Sequence, residues 1–449
     1  MIVKKPSQEM TDAIVRKFTA IGAAALAMDI EDSHSGNISQ KWTDADGYTH
    51  MAITATGSQK GDLKPTDICF PSIEGTNFGH YKASSETDIH TAILKLPGVS
   101  ASMHAHTKHA MIETLNDGPK PPKDAIAPLR PIDPLGYHLI GNVPVEWFAV
   151  PSGSPEMVTK LSGHLADNPA VITHGHGVFC KGTSPDEALF RASLVENSGL
   201  ARWFLRLFGV DPEAVADYIE KDPDGNLPEK PGVYSTDGDG HCDFDDEPDT
   251  AEEFFRTGHR IFESRLSPFH SGSISLRGAT TILYAPKASM PRNLPGPLLE
   301  FPLDPLPGDS PELAFHKQIY ANSSFQSVIH TYPAEAEAAA WSVHPEIAPE
   351  CFRDSSGDCI VPIDAEGSFL YLKIPLLQPE AGFETVLRAL HDYQVAVIRG
   401  RGVWAIGEQS LSEVLHHVSS ARDISFYRAG ASLRRLNFEC LEPKNAKNW

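Results

Sequence analysis

Apolar residues recur at helical spacing between residues 11 and 28 (Ile14, Val15, Phe18, Ile21, Leu26), which predicts an amphipathic helix with Thr11 as its cap. The pattern then changes to short apolar runs bounded by turn residues. SHSGNIS at 33–39 holds a Gly-Asn turn followed by strand-like residues, and MAITATG at 51–57 reads as a strand entering a tight turn. Residues 62–70 continue as loop and strand, and 87–96 return to a helical period. After Pro97 and Gly98 comes a run of small and apolar residues carrying His104 and His106. The proline-rich stretch 117–134 predicts an irregular loop. A helix over 156–165, a buried strand over 170–173 and a long amphipathic helix over 184–208 follow, with Ser184 and Glu187 spaced as a capping box.

Residues 221–249 break this pattern, because Gly, Pro and Asp dominate and mark a linker. Beyond the linker the first half returns. SHSGNIS reappears as FHSGSIS at 269–275, and SSETDIHTAI (84–93) as SPELAFHKQI (310–319). SMHAHT (102–107) reappears as VIHTYP (328–333), and HGHGVFCKG (174–182) as RGRGVWAIG (399–407). A deletion of about ten residues between the first two blocks removes the counterpart of Thr56-Gly57. A repeat this long means two copies of one domain, over 1–220 and 250–449. Glu86 recurs as Glu312 and His104 as His330, whereas His106 becomes Tyr332 and His176 becomes Arg401.

Composition narrows the function. Apolar residues at 41% and charged residues at 22% of 449 suit a folded soluble protein of two domains. A net charge of -21 opposes nucleic acid and anionic membranes, so neither is an expected partner. Six scattered cysteines without a CxxC pair read as free thiols in a reducing compartment. The apolar run IGAAALAM is too short to span a bilayer, and the expectation is a cytoplasmic protein.

Residues two apart in a strand share a face, so His104 and His106 project into one space. Two neutral imidazoles on a rigid strand are two thirds of a three-histidine metal site with an open position, and His176 is the candidate third ligand. In order, the chain then presents GNIS (36–39), TGS (56–58), SSE (84–86), HAH (104–106) and HG with a glycine six residues after the histidine (176–182). This set closely resembles the class II aldolase/adducin family, over about residues 11–208, with a degenerate second copy over about 250–438.

The resemblance implies an α/β fold, with two copies of a three-layer α/β/α domain around a mainly antiparallel sheet. It implies that Asn37, Thr56, Gly57, Ser84 and Ser85 bind a phosphate, in keeping with turn amides, hydroxyls and a helix N-terminus that favour an anion. His104, His106 and His176 match the metal ligands, for zinc first, with manganese or cobalt as alternatives. His174 departs from the family's pattern and stands as a donor to a ligand or a competitor for the metal. Glu86 matches the catalytic acid/base, which removes a proton next to a metal-polarised carbonyl to give a metal-bound enediolate.

The implied activity is a metal-dependent lyase acting on a carbon-carbon bond of a small phosphorylated sugar or hydroxy-ketone. Epimerase, dehydratase and decarboxylase chemistries share its opening step, and an adducin-like, non-catalytic module is the rival of another class. In the family a tyrosine from a neighbouring subunit often donates a proton; Tyr137, Tyr218 and Tyr427 are the candidates here. The implied assembly is a homodimer that mimics a four-fold ring, with a single metal in each chain.

Overall fold

The computed structural model of the protein describes residues 7–32, 34–71, 82–115, 126–227, 248–294, 298–347 and 358–436. Much of the expected linker (228–247), part of the proline-rich loop (116–125) and Ser33 lie outside the described residues, as do Cys242, Cys351 and Cys440. Cys69, Cys180 and Cys359 are buried and form no disulfide among the described residues. No helix among the described residues is long and apolar enough to cross a membrane.

The chain divides into two compact units, Met1–Arg130 with Leu139–Gly199, and Pro131–His138 with Leu200–Trp449. The first is built on strands β1 (Asn37–Thr43), β2 (Thr49–Thr54), β3 (Ile68–Cys69), β4 (Ala101–Ala105), β5 (Val145–Glu146), β6 (Ala170–Thr173) and β7 (Gly177–Gly182). They lie in the order β3-β2-β1-β4-β7-β6-β5, and every pairing except β5 with β6 is antiparallel. The second unit repeats this plan with β8 (Ser273–Arg277), β9 (Thr281–Ala285), β10 (Leu299–Pro302), β11 (Ser327–Thr331), β12 (Cys359–Ile360), β13 (Ile374–Leu377), β14 (Val395–Ile398) and β15 (Gly402–Gly407). Their order is β10-β9-β8-β11-β15-β14-β13-β12, again with one parallel pairing, β13 with β14.

Alternation along the strands makes the three layers. Ile329, Val395, Val397, Val403 and Ala405 face one core with Val414, Val418 and Ala421 of the helix Leu411–Leu433. Their neighbours Val328, Ala396, Ile398, Trp404 and Ile406 face the opposite core with Leu313, Ile319, Val386 and Leu390 of two other helices. Both faces are therefore apolar and each is covered by helices, as a fully buried sheet requires. In the first unit the helices Thr87–Leu94 and Pro155–Asp167 bury Ile89, Ile93, Met157 and Leu161 against Ile53, Val171 and Phe179.

Element boundaries differ from the sequence reading in instructive ways. The first helix runs Gln8–Ala27 and is capped by Ser7, whose hydroxyl accepts the Met10 N–H at 3.3 Å, so Thr11 lies inside it. At the helix Pro185–Leu207 the Ser184 hydroxyl accepts the Glu187 N–H at 3.2 Å, but the Glu187 carboxylate bonds the Thr183 N–H at 2.6 Å. The short helices Lys108–Thr114 and Pro134–Leu139 were hidden, because one or two turns carry too little periodicity to register.

Candidate metal and anion site

β1, β4 and β7 are neighbours, and they position the site. Asn37 pairs across to His104, and His104 pairs on its other side with Phe179. The His104 ring lies flat on that phenyl ring, with centroids 4.1 Å apart and 14° between planes. Its Nδ1–H donates to the Val178 carbonyl at 3.0 Å, which sets the tautomer and leaves Nε2 as a bare acceptor. His106 Nε2 is 3.2 Å and His176 Nε2 3.3 Å from that atom. All three donor atoms fall within 4.8 Å of one another, and this is the only such cluster among the described residues. Gly177 makes room for it: a Cβ there would strike the Ala105 carbonyl and stand 3.1 Å from His104 Cε1.

Burial lowers the basicity of all three rings. His104 falls well below its ordinary value through burial and then through His176 and His106; His176 is pushed down to about 4, and His106 is also lowered by burial. Three imidazoles that are neutral near pH 7 are what a divalent metal needs, since protons and metal compete for the same lone pairs. His176 sits in the turn between β6 and β7, and its Nδ1 is buried without a partner among the described residues. The donor set fits a divalent metal that accepts nitrogen ligands.

Glu86 comes to the same cleft, of about 170 Å³, from the start of the helix Thr87–Leu94. It holds the N-cap position, yet its side chain makes no capping bond. Its Oε2 accepts the Asn37 Nδ2–H at 2.8 Å and lies 3.7 Å from His104 Nε2. Burial raises the carboxyl above its ordinary value, and the Asn37 bond works against that rise. A helix-start carboxylate serving only its own helix would turn back onto it. This one is turned into the cleft.

Thr56, Gly57, Ser84 and Ser85 line the same cleft. Gly57 has φ 72°, a left-handed turn that presents backbone amides. The Ser84 hydroxyl accepts the Glu86 N–H at 3.2 Å, whereas Ser85 is exposed. His34 and Ser152 also line the cleft; His34 recurs as His270 in the aligned blocks SHSGNIS and FHSGSIS, whereas nothing in the sequence pattern pointed to Ser152. His174 is not brought in; its Nε2 is buried without a partner among the described residues, and its N–H donates to the Glu146 carbonyl. Tyr137, Tyr218 and Tyr427 do not line the cleft either: Tyr137 and Tyr218 pack on the core of the second unit, and Tyr427 is 46% exposed.

The repeat held one more residue. His90, fully buried, sets Nδ1 2.6 Å from the Ser39 hydroxyl, and its counterpart His316 sets Nδ1 2.7 Å from Ser275. Both stand in the aligned stretches SSETDIHTAI and SPELAFHKQI, so the signal was present in the sequence.

In the second unit the corresponding residues close on themselves. Glu312 Oε1 holds His330 Nδ1 at 2.7 Å, and His330 Nε2 bonds the Arg401 carbonyl at 2.7 Å. Burial raises the Glu312 carboxyl, but His330 and the Ser273 hydroxyl more than reverse this and leave it below its ordinary value. His330 therefore offers no free lone pair, and Tyr332 and Arg401 bring no imidazole.

The family model for the Class II Aldolase and Adducin N-terminal domain matches the chain twice, over residues 16–201 and 252–423. The chain belongs to this family and carries its domain in duplicate. It is 28% identical over 177 residues to the probable bifunctional methylthioribose-1-phosphate isomerase/methylthioribulose-1-phosphate dehydratase of Nocardia farcinica, covering 36% of this chain but only 30% of that protein. It is 26% identical to the 3,4-dihydroxyphthalate decarboxylase of Arthrobacter keyseri, over 51% of this chain and 91% of that one. Identity to the L-fuculose phosphate aldolase of Haemophilus influenzae is also 26%, over 41% of this chain and 79% of that protein.

Proposed function

We propose that the N-terminal copy is a metal-dependent lyase site for a small hydroxy-ketone or sugar that carries a phosphate. One observation supports this above the rest: three neutral imidazoles, a buried carboxylate 3.7 Å from one of them, and a hydroxyl- and amide-lined end share a single cleft. His104, His106 and His176 would hold the metal through Nε2. A divalent metal bound there polarises a carbonyl or hydroxyl oxygen of the substrate.

Glu86 is the group placed to take and return a proton at the carbon next to that oxygen. Its raised affinity for a proton suits the task, because a general base works best when its pKa approaches the working pH. Asn37 holds one carboxylate oxygen and so fixes the direction of the other. Thr56, Gly57, Ser84 and Ser85 receive the anionic end of the substrate, which sets the distance between the anion and the reacting carbon.

Cleavage of a carbon-carbon bond is the reading we favour. Dehydration and decarboxylation begin with the same placement of metal and base, and relatives bearing those names share this family. The test is direct: zinc-loaded protein is incubated with ketose 1-phosphates and with hydroxylated aromatic acids, and the released aldehyde or carbon dioxide is measured. Aldehyde release supports the aldolase reading; carbon dioxide alone replaces it with the decarboxylase one. The assembly we expect is a homodimer, read from the mass of the protein in solution.

A further inference from the structure

The described residues that line the cleft include no lysine or arginine, although an anion is to be bound there. A lysine is buried beneath it instead. Lys60 is 1% exposed, and its ammonium donates to the Ser58 carbonyl at 2.8 Å and to the His34 carbonyl at 3.3 Å. Ser58 follows the Thr56-Gly57 turn directly, and His34 lines the cleft. The backbone of Lys60 is clamped as well, for a Cβ on Gly22 would strike its carbonyl.

Glu31, also 1% exposed, is the opposite charge that acts on Lys60 most strongly. Its carboxylate packs against Gly36, where a Cβ would collide with it, and accepts the Ser35 hydroxyl at 3.5 Å. The backbone amide of His106 faces it and favours its charged form, while Oε1 has no hydrogen-bond partner among the described residues. Burial raises the Glu31 carboxyl and lowers the Lys60 ammonium, and each charge opposes the shift of the other. Glu31 thus packs on the turn leading to Asn37, Lys60 holds the turn after Gly57, and the His106 amide beyond β4 bears on the Glu31 carboxylate through its charge.

The second copy is an internal control. At the place of Glu31 stands Ser267, whose hydroxyl accepts the Tyr332 N–H at 3.2 Å, with Tyr332 at the place of His106. At the place of Lys60 stands Ala288, whose carbonyl would be 2.7 Å from a Cβ on Gly258. The fold closes there with a neutral serine and an alanine. A buried charged pair gains little over neutral replacements, so stability alone does not account for Glu31 and Lys60 in the copy that keeps its histidines.

We propose that Glu31 and Lys60 are positioning residues of the N-terminal site: Glu31 braces His106 and the Gly36-Asn37 turn, and Lys60 supplies from below the positive charge for a phosphate. The proposal rests on the metal and phosphate reading given above. It is tested with the double variant Glu31→Gln/Lys60→Met, which leaves no unpaired buried charge, and with Glu31→Ser, which takes the residue used by the second copy. Zinc affinity is measured by chelator competition, inorganic phosphate affinity on the zinc-loaded protein, and Tm in parallel. Expected for the double variant are a Tm near that of the wild type and zinc and phosphate affinities each weakened about 10- to 100-fold, the usual cost of losing support behind a ligand. Glu31→Ser is expected to weaken zinc by a similar factor. Wild-type protein that binds zinc and phosphate, with variants within about twofold of it, would overturn this inference alone. Wild-type protein that binds no zinc would overturn the metal reading as well.

Discussion

Glu312 holds Nδ1 of His330 at 2.7 Å, whereas Glu86 stands 3.7 Å from Nε2 of His104 and bonds Asn37 instead. The two pairs are equivalent in sequence and opposite in state. In one the histidine keeps a lone pair and the carboxylate faces the cleft; in the other each satisfies its neighbour.

The first consequence is stoichiometric. One metal per chain is expected in purified protein, measured by elemental analysis. Placing histidines at Tyr332 and Arg401 should not add a second metal, because His330 would still be held between Glu312 and the Arg401 carbonyl. Two metals per wild-type chain would refute this.

His106→Ala should release most of the metal and leave the fold intact, since the residue lies just beyond β4 and its ring is only partly buried. The loss of affinity should exceed the roughly 10- to 100-fold cost of losing a group behind a ligand. Full metal occupancy with an unchanged circular dichroism spectrum would remove His106 from the ligand set.

Glu86→Gln separates base from ligand. Metal should stay bound, while exchange of the substrate's α-proton with solvent slows by about 10²- to 10⁴-fold, the usual contribution of a general base. Exchange at the wild-type rate would assign the proton to another group.

Replacing Ser84 and Ser85 together by alanine should weaken phosphorylated ligands by about 1.5–3 kcal/mol for each bond lost to a charged group. Dephosphorylated counterparts should lose far less. Equal losses would mean that the Ser84 hydroxyl acts only within its turn, where it already accepts the Glu86 N–H.

Acid should destabilise the metal-free protein in a defined window. His90 is pushed down to about 3 by burial and His176 to about 4, whereas an unfolded histidine takes its proton near 6.5. Between about pH 6.5 and 4 the unfolded chain binds more protons than the folded one, so stability falls as pH falls through that window. His90→Gln removes one of these protons, and the slope of Tm against pH in EDTA should become shallower. An unchanged slope would show that His90 does not hold a neutral ring in the folded protein.

The triad was legible before any fold, because strand periodicity puts His104 and His106 on one face and the repeat brackets His176 within a copied glycine frame. The doubled α/β architecture was legible for the same reason: long aligned blocks survive local ambiguity. Glu31 and Lys60 were not, since 29 positions separate them in sequence and only the folded turns bring both beneath the cleft. His90 was overlooked although it recurs as His316, because a buried histidine on a helix face reads as packing until its Ser39 partner is visible. Two short helices and the cap at Ser7 fell below what local patterning resolves.

Gly177 has an aftermath in the second copy. Its counterpart Gly402 is under the same pressure, since a Cβ there would strike the Thr331 carbonyl and stand 3.1 Å from His330 Nε2. The backbone still demands that glycine although two of the three imidazoles are replaced there. In this copy the glycine has outlasted the imidazoles of His106 and His176, whose places are taken by Tyr332 and Arg401.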